Sequence, residues 1–294
     1  MAIYSIKEMS ILSGVKPHTI RIWEKRYNLF SPQRTDTNIR RYNDDDLKLI
    51  LNVSLLLSMG YKISRIAKLS DVEIRSIMLK GRGNVQTLPF PETLFNSAME
   101  INELEFSRKI EETISERGFE WTFENMLVPF QKRMGLLWQA GTVTPAQEHF
   151  ASNIIRNKII KQTDSLPNPN DQISSVLFFL PEGELHEMGL LYFNYIARKE
   201  GLNTVYLGQT VPLNNILEFK TQKDFLGIFT TITISISREE IASMIGALKQ
   251  NFPNSRLMAT GLQIELDPSL LPKGVEIIKS AQQFKSYLKK INLK

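Results

Sequence analysis

The sequence of 294 residues contains no cysteine and only three histidines, His18, His149 and His186. The absence of cysteine excludes disulfides, thiolate zinc sites and cysteine nucleophiles. Metal binding or proton transfer by an imidazole must therefore use one of these three side chains.

Long apolar segments are also missing. No apolar run reaches the roughly 18 residues that a membrane-spanning helix needs, and the N-terminus lacks the apolar stretch of a signal peptide. We therefore expect a cytoplasmic protein with no membrane partner. The length allows two or three domains at roughly 100–200 residues each.

Excess positive charge is absent outside the first quarter of the chain. Residues 1–75 contain 13 Lys and Arg against 8 Asp and Glu. The whole chain contains 36 Lys and Arg and 31 Asp and Glu. Residues 76–294 therefore contain 23 basic and 23 acidic residues, whose charges cancel. A basic segment beside a neutral body is the distribution expected when that segment binds nucleic acid.

Two helices joined by a turn are predicted at the start of the chain. Apolar residues recur on one helical face over residues 5–14, and Gly14 suits the turn that follows. A second helix is predicted at about 16–27, with Pro17 in its first turn, where the missing N–H is not needed. This arrangement is a helix-turn-helix, whose second helix enters the major groove.

A basic hairpin is predicted next, at about 31–42, with a polar centre and arginines along its arms. Such a wing lies against the DNA backbone, while the second helix reaches base edges. Ile20 and Trp23 are expected to pack inward. The predicted DNA contacts are Thr19, Arg21, Lys25, Arg26, Tyr27, Arg34, Arg40, Arg41 and Tyr42.

Residues 19–27, TIRIWEKRY, followed by residues 40–47, RRYNDDDL, resemble the winged helix-turn-helix of the MerR family. That family usually has Gly in the turn of its wing; here Asn38 stands there, and Asn tolerates positive φ. Asp44 to Asp46 are expected to cap the next helix. The resemblance continues through residues 60–67, which are similar to the family's following short helix.

Helix-breaking residues separate this DNA-binding domain, assigned to residues 1–78, from the rest of the chain. Residues 80–84, KGRGN, and 89–91, PFP, interrupt any long helix. We interpret residues 79–90 as a linker. The long coiled coil through which many MerR proteins dimerise is therefore not expected.

The rest of the chain is predicted to form a four-helix bundle cap and then an α/β domain. The helices of the cap, residues 91–167, are predicted at about 92–101, 103–117, 119–140 and 144–163. The strands of the second domain, residues 168–294, are predicted at about 173–180, 204–208, 225–234, 256–260 and 275–278. Strands that alternate with helices predict a doubly wound, parallel, five-stranded sheet, which binds ligands at the carboxyl ends of its strands.

Residues 184–189, ELHEMG, lie just beyond the first of these strands and resemble the Asp/Glu-x-His-x-x-Gly motif of cobalamin-binding domains. The resemblance implies that His186 supplies the lower axial nitrogen to cobalt, that Glu184 orients its imidazole and that Gly189 completes the motif. These implied roles agree with the chemistry of the two side chains, because a neutral imidazole binds metal and a carboxylate fixes its tautomer.

The same resemblance assigns cofactor contacts near the ends of strands three and four. Ser235 is the residue implied to serve the tunnel for the dimethylbenzimidazole group. Cobalamin domains often have Gly-Gly after strand four, where this chain has Thr260 and Gly261. A Thr in place of the first Gly is expected to crowd a close backbone approach.

Residues 138–152, WQAGTVTPAQEHFAS, resemble the cap bundle of MerR-type, cobalamin-dependent photoreceptors that repress carotenoid genes. There, a Trp and a Glu-His pair face the upper side of the cobalamin around its adenosyl group, which implies Trp138, Glu148 and His149. A His directly after the Trp can bind cobalt in those proteins after light has removed the adenosyl group. Gln139 has that position here, which leaves His149 as the candidate upper ligand.

The resemblance covers nearly the whole chain in the same domain order. It implies a transcriptional repressor, not an enzyme, that senses light with adenosylcobalamin bridging the cap and the sheet domain. The dark holo form is expected to be a homotetramer on double-stranded operator DNA. Light would release the adenosyl group and dismantle the tetramer.

Three alternatives stand beside this interpretation. A light-independent MerR-type regulator would bind methylcobalamin, another cobalamin or none, under the control of a partner protein. A cobalamin-dependent methyltransferase or mutase module is opposed by the helix-turn-helix and by the lack of room for a substrate-activating domain. A small-molecule efflux regulator is opposed by the missing coiled coil.

Overall fold

Two units make up the structure, Met1–Ile154 and Ile155–Lys294. The computed structural model describes residues 3–35, 38–58, 60–70, 72–74, 77, 92–139, 141–167, 175–221 and 224–292. Within those residues, no helix is both long and apolar enough to cross a membrane. The predicted linker at 79–90 lies outside the described residues.

The first helix, α1 (Ile6–Ser13), is closed at both ends by local sequence. Ser5 Oγ accepts the backbone N–H of Glu8, and the Glu8 carboxylate accepts the backbone N–H of Ser5. This reciprocal pair satisfies two donors that the helix itself leaves unpaired. Gly14 follows with φ of 69°, in the left-handed region, and ends the helix as predicted.

The second helix, α2 (Pro17–Tyr27), carries the basic residues predicted to face DNA. Its buried residues are Ile20 and Trp23, which pack inward as the sequence indicates. Asn28, with φ of 50°, ends it. One face of α2 is thus apolar and buried, which leaves the other for the basic side chains.

A short antiparallel hairpin follows α2. Its strands are β1 (Gln33–Arg34) and β2 (Arg40–Arg41), with Gln33 opposite Arg41. Asn38 has φ of 64°, the positive value that its place in the turn requires. The predicted winged helix-turn-helix is therefore confirmed.

The helix after the wing, α3 (Asp44–Ser58), begins one residue after its cap, Asn43. The Asn43 side-chain oxygen accepts the backbone N–H groups of Asp45 and Asp46, each at 2.9 Å. The Asp46 carboxylate accepts the N–H of Asn43 in return. The cap is thus Asn43, one residue before the acidic run to which the sequence assigned it. A single turn, α4 (Ile63–Ile66), comes next.

The helices of the middle of the chain are α5 (Glu92–Met99), α6 (Glu103–Arg117), α7 (Phe119–Thr122), α8 (Val128–Gln139) and α9 (Pro145–Asp164). Between α7 and α8, Phe123–Leu127 form a π turn. The helix predicted at 119–140 is therefore one segment with a wide turn inside it. Pro129 accounts for the turn, because it lacks an N–H and its ring clashes with the carbonyl four residues earlier.

The second unit contains a five-stranded parallel sheet. Its strands are β3 (Ser175–Pro181), β4 (Asn203–Val211), β5 (Phe225–Thr231), β6 (Arg256–Thr260) and β7 (Val275–Ile277). Their spatial order is β4-β3-β5-β6-β7, which confirms the predicted doubly wound sheet. The chain leaves β3 toward one side for β4 and returns on the other side for β5. Sheets of this kind bind ligands at that switch point, outside the carboxyl ends of the strands.

Helices cover both faces of the sheet, and they are α10 (Met188–Lys199), α11 (Leu213–Leu217), α12 (Arg238–Asn251), α13 (Leu262–Leu266) and α14 (Ala281–Asn292). All seven residues of β3 are buried, as expected of a central parallel strand. On one face Phe178, Phe229 and Phe284 form an aromatic cluster, with the rings of Phe178 and Phe229 5.3 Å apart. The core thus holds β3 rigidly, and with it the start of the loop that follows.

Candidate functional site

The loop after β3 carries the Glu184–His186 pair, and its centre is the carboxylate of Glu184, which is fully buried. Its Oε1 accepts the backbone N–H of His186 at 2.9 Å and lies 2.6 Å from His186 Nδ1. Its Oε2 accepts the backbone N–H groups of Thr233 at 2.6 Å and Ile234 at 2.9 Å. Thr233 and Ile234 follow β5, so Glu184 joins the two loops at the switch point of the sheet.

The Glu184 carboxyl group stays ionised despite its burial. Burial alone would raise its pKa, but the hydrogen bonds from the His186 side chain and from the three backbone N–H groups lower that pKa to about 2. An ionised carboxylate can only accept hydrogen bonds, so the contact at 2.6 Å assigns the proton to Nδ1 of His186. When the ring is neutral, Nε2 therefore holds the lone pair that a metal ion needs.

This donor set fits a cobalt ion that takes one axial imidazole. The side chain of His186 is 62% exposed, while that of Glu184 is completely covered. An exposed imidazole whose other nitrogen donates to a buried carboxylate is the usual form of a metal-binding histidine. The roles that the sequence motif implies for His186 and Glu184 need such a geometry, and they stay predictions.

The remaining residues predicted for the sheet domain lie close to the same end of the sheet. Gly189 is in the first turn of α10, and a Cβ there would meet no atom within 4 Å. Ser235 is exposed in the loop after β5. Gly261 has φ of 117°, and a Cβ there would lie 2.3 Å from the carbonyl oxygen of Ile232. The close backbone approach therefore falls at Gly261, while Thr260, where the sequence predicted crowding, is the last residue of β6.

Two buried hydroxyl groups at the end of β5 were not anticipated from the sequence. The Oγ1 atoms of Thr230 and Thr231 have no hydrogen-bond partner among the described residues. They offer hydrogen-bonding capacity beside the Glu184 loop that a polar ligand could use. Thr is common in β-strands because of its branched shape, so a Thr in a strand does not by itself indicate a polar site.

The residues predicted for the upper side of the cofactor lie on α8 and α9, in the first unit. Glu148 and His149 are brought together in the first turn of α9, with Glu148 Oε2 2.8 Å from His149 Nδ1. The side chain of His149 is 73% exposed. Trp138, near the end of α8, is 48% exposed although it is a large apolar residue. The side chain of Gln139 lies outside the described residues.

The predicted DNA contacts on α2 are accessible. Arg21, Lys25 and Arg26 are exposed, whereas Thr19 and Tyr27 are partly buried. The guanidinium group of Arg26 lies 5.6 Å from the centre of the Tyr27 ring. The exposed face of α2 is thus positively charged, which suits a helix in the major groove.

A glutamate on α2 that the sequence did not single out organises the wing. Glu24 Oε2 accepts Nε of Arg40 at 2.8 Å, and Glu24 Oε1 lies 3.5 Å from Arg34. Arg41 is exposed. Tyr42 corrects the prediction, because its ring is fully buried and belongs to the core of the domain. Burial and the neighbouring Glu24 raise the pKa of Tyr42 to about 12.

Two family models match separate parts of the chain. Residues 4–72 match the MerR HTH family of regulatory proteins. Residues 92–160 match the B12 binding domain family.

Similar proteins include the HTH-type transcriptional repressor CarH of Myxococcus xanthus, which is 30% identical over 85% of this chain and 85% of the relative. CarA, an HTH-type transcriptional repressor of the same organism, is 24% identical over 70% of this chain and 68% of the relative. Among solved structures, the monomethylamine corrinoid protein of Methanosarcina barkeri covers 67% of this chain and 96% of its own, with a TM-score of 0.55 and 14% identity. That likeness shows a shared fold.

Proposed function

Since the chain belongs to the family of HTH-type transcriptional repressors that includes CarH, we propose that it is a light-dependent repressor that uses adenosylcobalamin. The observation that carries the proposal is the Glu184–His186 pair at 2.6 Å. It provides an exposed imidazole, held in one tautomer by a buried anion, at the ligand-binding end of a doubly wound sheet.

The residues predicted on the two sides of cobalt have separate roles in this proposal. His186 would supply an imidazole nitrogen to cobalt, and Glu184 would hold its ring. Trp138, Glu148 and His149 would contact the adenosyl group. Bound adenosylcobalamin supplies a cobalt–carbon bond that light breaks, so the shape of the group that Trp138 contacts depends on illumination.

Assembly would connect the cofactor to DNA. We propose a homotetramer in the dark, in which several winged helices bind one operator together. Linked modules bind at a high effective concentration, so a tetramer binds DNA more tightly than separate chains that make the same contacts. Loss of the adenosyl group would remove the contact at Trp138 and dissociate the tetramer, which releases the DNA.

The test uses the full chain, loaded with adenosylcobalamin in the dark and then exposed to green light. Absorbance, size-exclusion chromatography and DNA affinity are measured before and after light. We expect a change in the spectrum, a fall in particle size and a fall in DNA affinity together. Protein loaded with hydroxocobalamin, which has no adenosyl group, is the control and should show no light response.

The presence of Gln139 directly after Trp138 favours a second candidate, a light-independent regulator. An amide is a poor cobalt ligand, so the illuminated state lacks the upper histidine that photoreceptors of this type have at that position. In this case DNA affinity would depend on cobalamin, but it would be the same before and after green light. That result would contradict the light-dependent proposal and support the second candidate.

A further inference from the structure

A second buried carboxylate lies beside the candidate cobalt ligand. Glu187 directly follows His186, and its side chain is 8% exposed. Its Oε2 accepts Nε of Arg156 at 2.8 Å, and its Oε1 accepts the hydroxyl of Tyr206 at 2.9 Å. Arg156 comes from α9 and Tyr206 from β4, so two separate elements hold this one side chain.

In this network Arg156 stays a cation and Tyr206 stays a neutral phenol. The hydrogen bond to Glu187 raises the pKa of Arg156, which remains a cation. Burial raises the pKa of Tyr206, and the charge of Glu187 raises it further, so the phenol keeps its proton. The Glu187 carboxylate therefore has one charged and one neutral donor, a pairing that offsets the cost of burying it.

Glu187 also fixes the backbone on both sides of its own position. Its N–H donates to the carbonyl of Leu185 at 2.9 Å, and its carbonyl accepts the N–H of Leu191 at 2.9 Å, in the first turn of α10. The N–H of His186 is held by Glu184 on the other side. His186 thus lies between two anchored glutamates, one joined to the loop after β5 and the other to α9 and β4.

Glu187 is buried but the Arg156 side chain is 42% exposed, so their ion pair contributes little to stability compared with apolar side chains of the same volume. Its value lies in geometry, because a charged network accepts only one arrangement of its donors. Glu184 holds the His186 ring and its backbone N–H from the side of the loop after β5. The start of α10 is tied to α9 and β4 through the Glu187 side chain. Glu187 thus supplies a second constraint.

We infer that the Arg156–Glu187–Tyr206 network positions His186 as the axial ligand of cobalt, an inference that rests on the proposed function. Glu187 does not touch the metal and acts through the backbone of its neighbour. Outer residues of metal sites typically change metal affinity about 10–100-fold when replaced. We expect a loss within that range for cobalamin when the network is broken.

The test compares Glu187→Gln with Glu182→Gln, an exposed carboxylate of the same loop. Both proteins are titrated with adenosylcobalamin in the dark, and affinity is read from absorbance. Both are also loaded with cob(II)alamin after growth on ¹⁵N-histidine. In the electron paramagnetic resonance spectrum, a ¹⁵N ligand splits the cobalt lines into doublets and a ¹⁴N ligand into triplets.

We expect Glu187→Gln to bind about 10–100-fold more weakly and to lose part of the histidine doublets. Glu182→Gln should match the parent in both measurements. Tyr206→Phe, which removes one hydroxyl and keeps the ring, should give a smaller change in the same direction. If Glu187→Gln does not fold, Tyr206→Phe still tests whether the network positions His186.

Parent-like affinity and doublets in Glu187→Gln and Tyr206→Phe would overturn the inference. So would weaker binding with undiminished doublets in the bound fraction, because the network would then serve folding and not ligand geometry. His186→Ala separates this failure from a failure of the proposed function. If His186→Ala keeps the doublets and affinity of the parent, His186 is not the ligand at all.

Discussion

Glu24 and Arg40 join the recognition helix to the wing through an ion pair of 2.8 Å. The two residues belong to α2 and β2, the elements predicted to contact base edges and phosphates. The Arg40 side chain is 27% exposed and its pKa is raised by Glu24, so it combines a structural contact with a positive charge on the wing. Arg41, its neighbour on the strand, is exposed.

This difference separates the effects of replacing the two arginines. Arg41→Ala should weaken DNA binding to all sequences alike and reduce the salt dependence by about one phosphate contact. Arg40→Ala should do the same and also lower the melting temperature, because Glu24 loses its closest partner. Affinity measured by fluorescence anisotropy at several salt concentrations checks the first effect, and thermal unfolding checks the second. If the double variant Arg40→Ala, Arg41→Ala keeps the parent's dependence of DNA affinity on salt concentration, the wing is not part of the DNA interface.

The recognition helix should determine sequence preference. Arg21 is exposed on α2, on the face opposite the buried Trp23. A bidentate contact between Arg and guanine discriminates by about 1–3 kcal/mol, so Arg21→Ala should relax selectivity at one base position. Selection of bound sequences from a random DNA library, for parent and variant, measures the change. The same preference in both proteins would place Arg21 away from the base edges.

Trp138 should control assembly beyond its contribution to the fold. Its ring is 48% exposed and that of Trp121 is 44% exposed, so Trp138→Ala and Trp121→Ala remove similar buried areas and should lower thermal stability by similar amounts. It should impair the dark tetramer with adenosylcobalamin bound, as seen by size-exclusion chromatography. Trp121→Ala is the matched control, since Trp121 lies on α7 and is 44% exposed. If Trp138→Ala forms normal tetramers in the dark, this side chain does not make the proposed cofactor contact.

The low pKa of Glu184 has a defined effect on stability. The value falls from 4.5 to about 2 on folding, so the ionised form contributes stability that is present above about pH 4.5 and is lost as the pH falls toward 2. Linkage gives a contribution of roughly 3 kcal/mol. Glu184→Gln should therefore lower the free energy of unfolding at neutral pH, and the difference from the parent should shrink in acid. Urea unfolding of the apo protein at several pH values measures it, and a difference independent of pH would contradict the assignment.

Gly261 should tolerate no side chain. A Cβ there would lie 2.3 Å from the carbonyl oxygen of Ile232 and the φ of 117° disfavours other residues, so Gly261→Ala should cost about 1–3 kcal/mol. Gly246→Ala is the control, because a Cβ at that helical position meets no atom within 4 Å. The control should be neutral or stabilising by up to about 1 kcal/mol. Equal melting temperatures for the two variants would show that the loop after β6 can relax.

The parts of the structure that depend on short sequence patterns could be predicted. The turn at Gly14, the wing around Asn38 and the strand–helix alternation all follow from local preferences and apolar periodicity. The motif at Glu184 and His186 marks the loop after β3 in the sequence, where the structure places the buried carboxylate and the exposed imidazole.

The parts that depend on contacts distant in the chain could not be predicted. The N–H groups of Thr233 and Ile234 hold Glu184, but backbone donors are the same for every residue and leave no mark in the sequence. Glu24 and Glu187 read as ordinary surface acids until the fold brings Arg40 and Arg156 to them. Tyr42 was assigned to DNA, but it follows Arg40 by two residues, and that spacing puts its ring on the same side of the strand as Arg40, where it is buried beside Glu24.

The π turn at Phe123–Leu127 has a practical consequence for anyone who redesigns this chain. A π turn holds one more residue than a turn of α-helix, so it shifts the angular phase of everything beyond it by about 100°. The faces of α7 and α8 are therefore aligned only while that extra residue is present. Deleting a single residue there would preserve a continuous helix, yet it would rotate Trp138 by about 100° around the helix axis relative to Trp121.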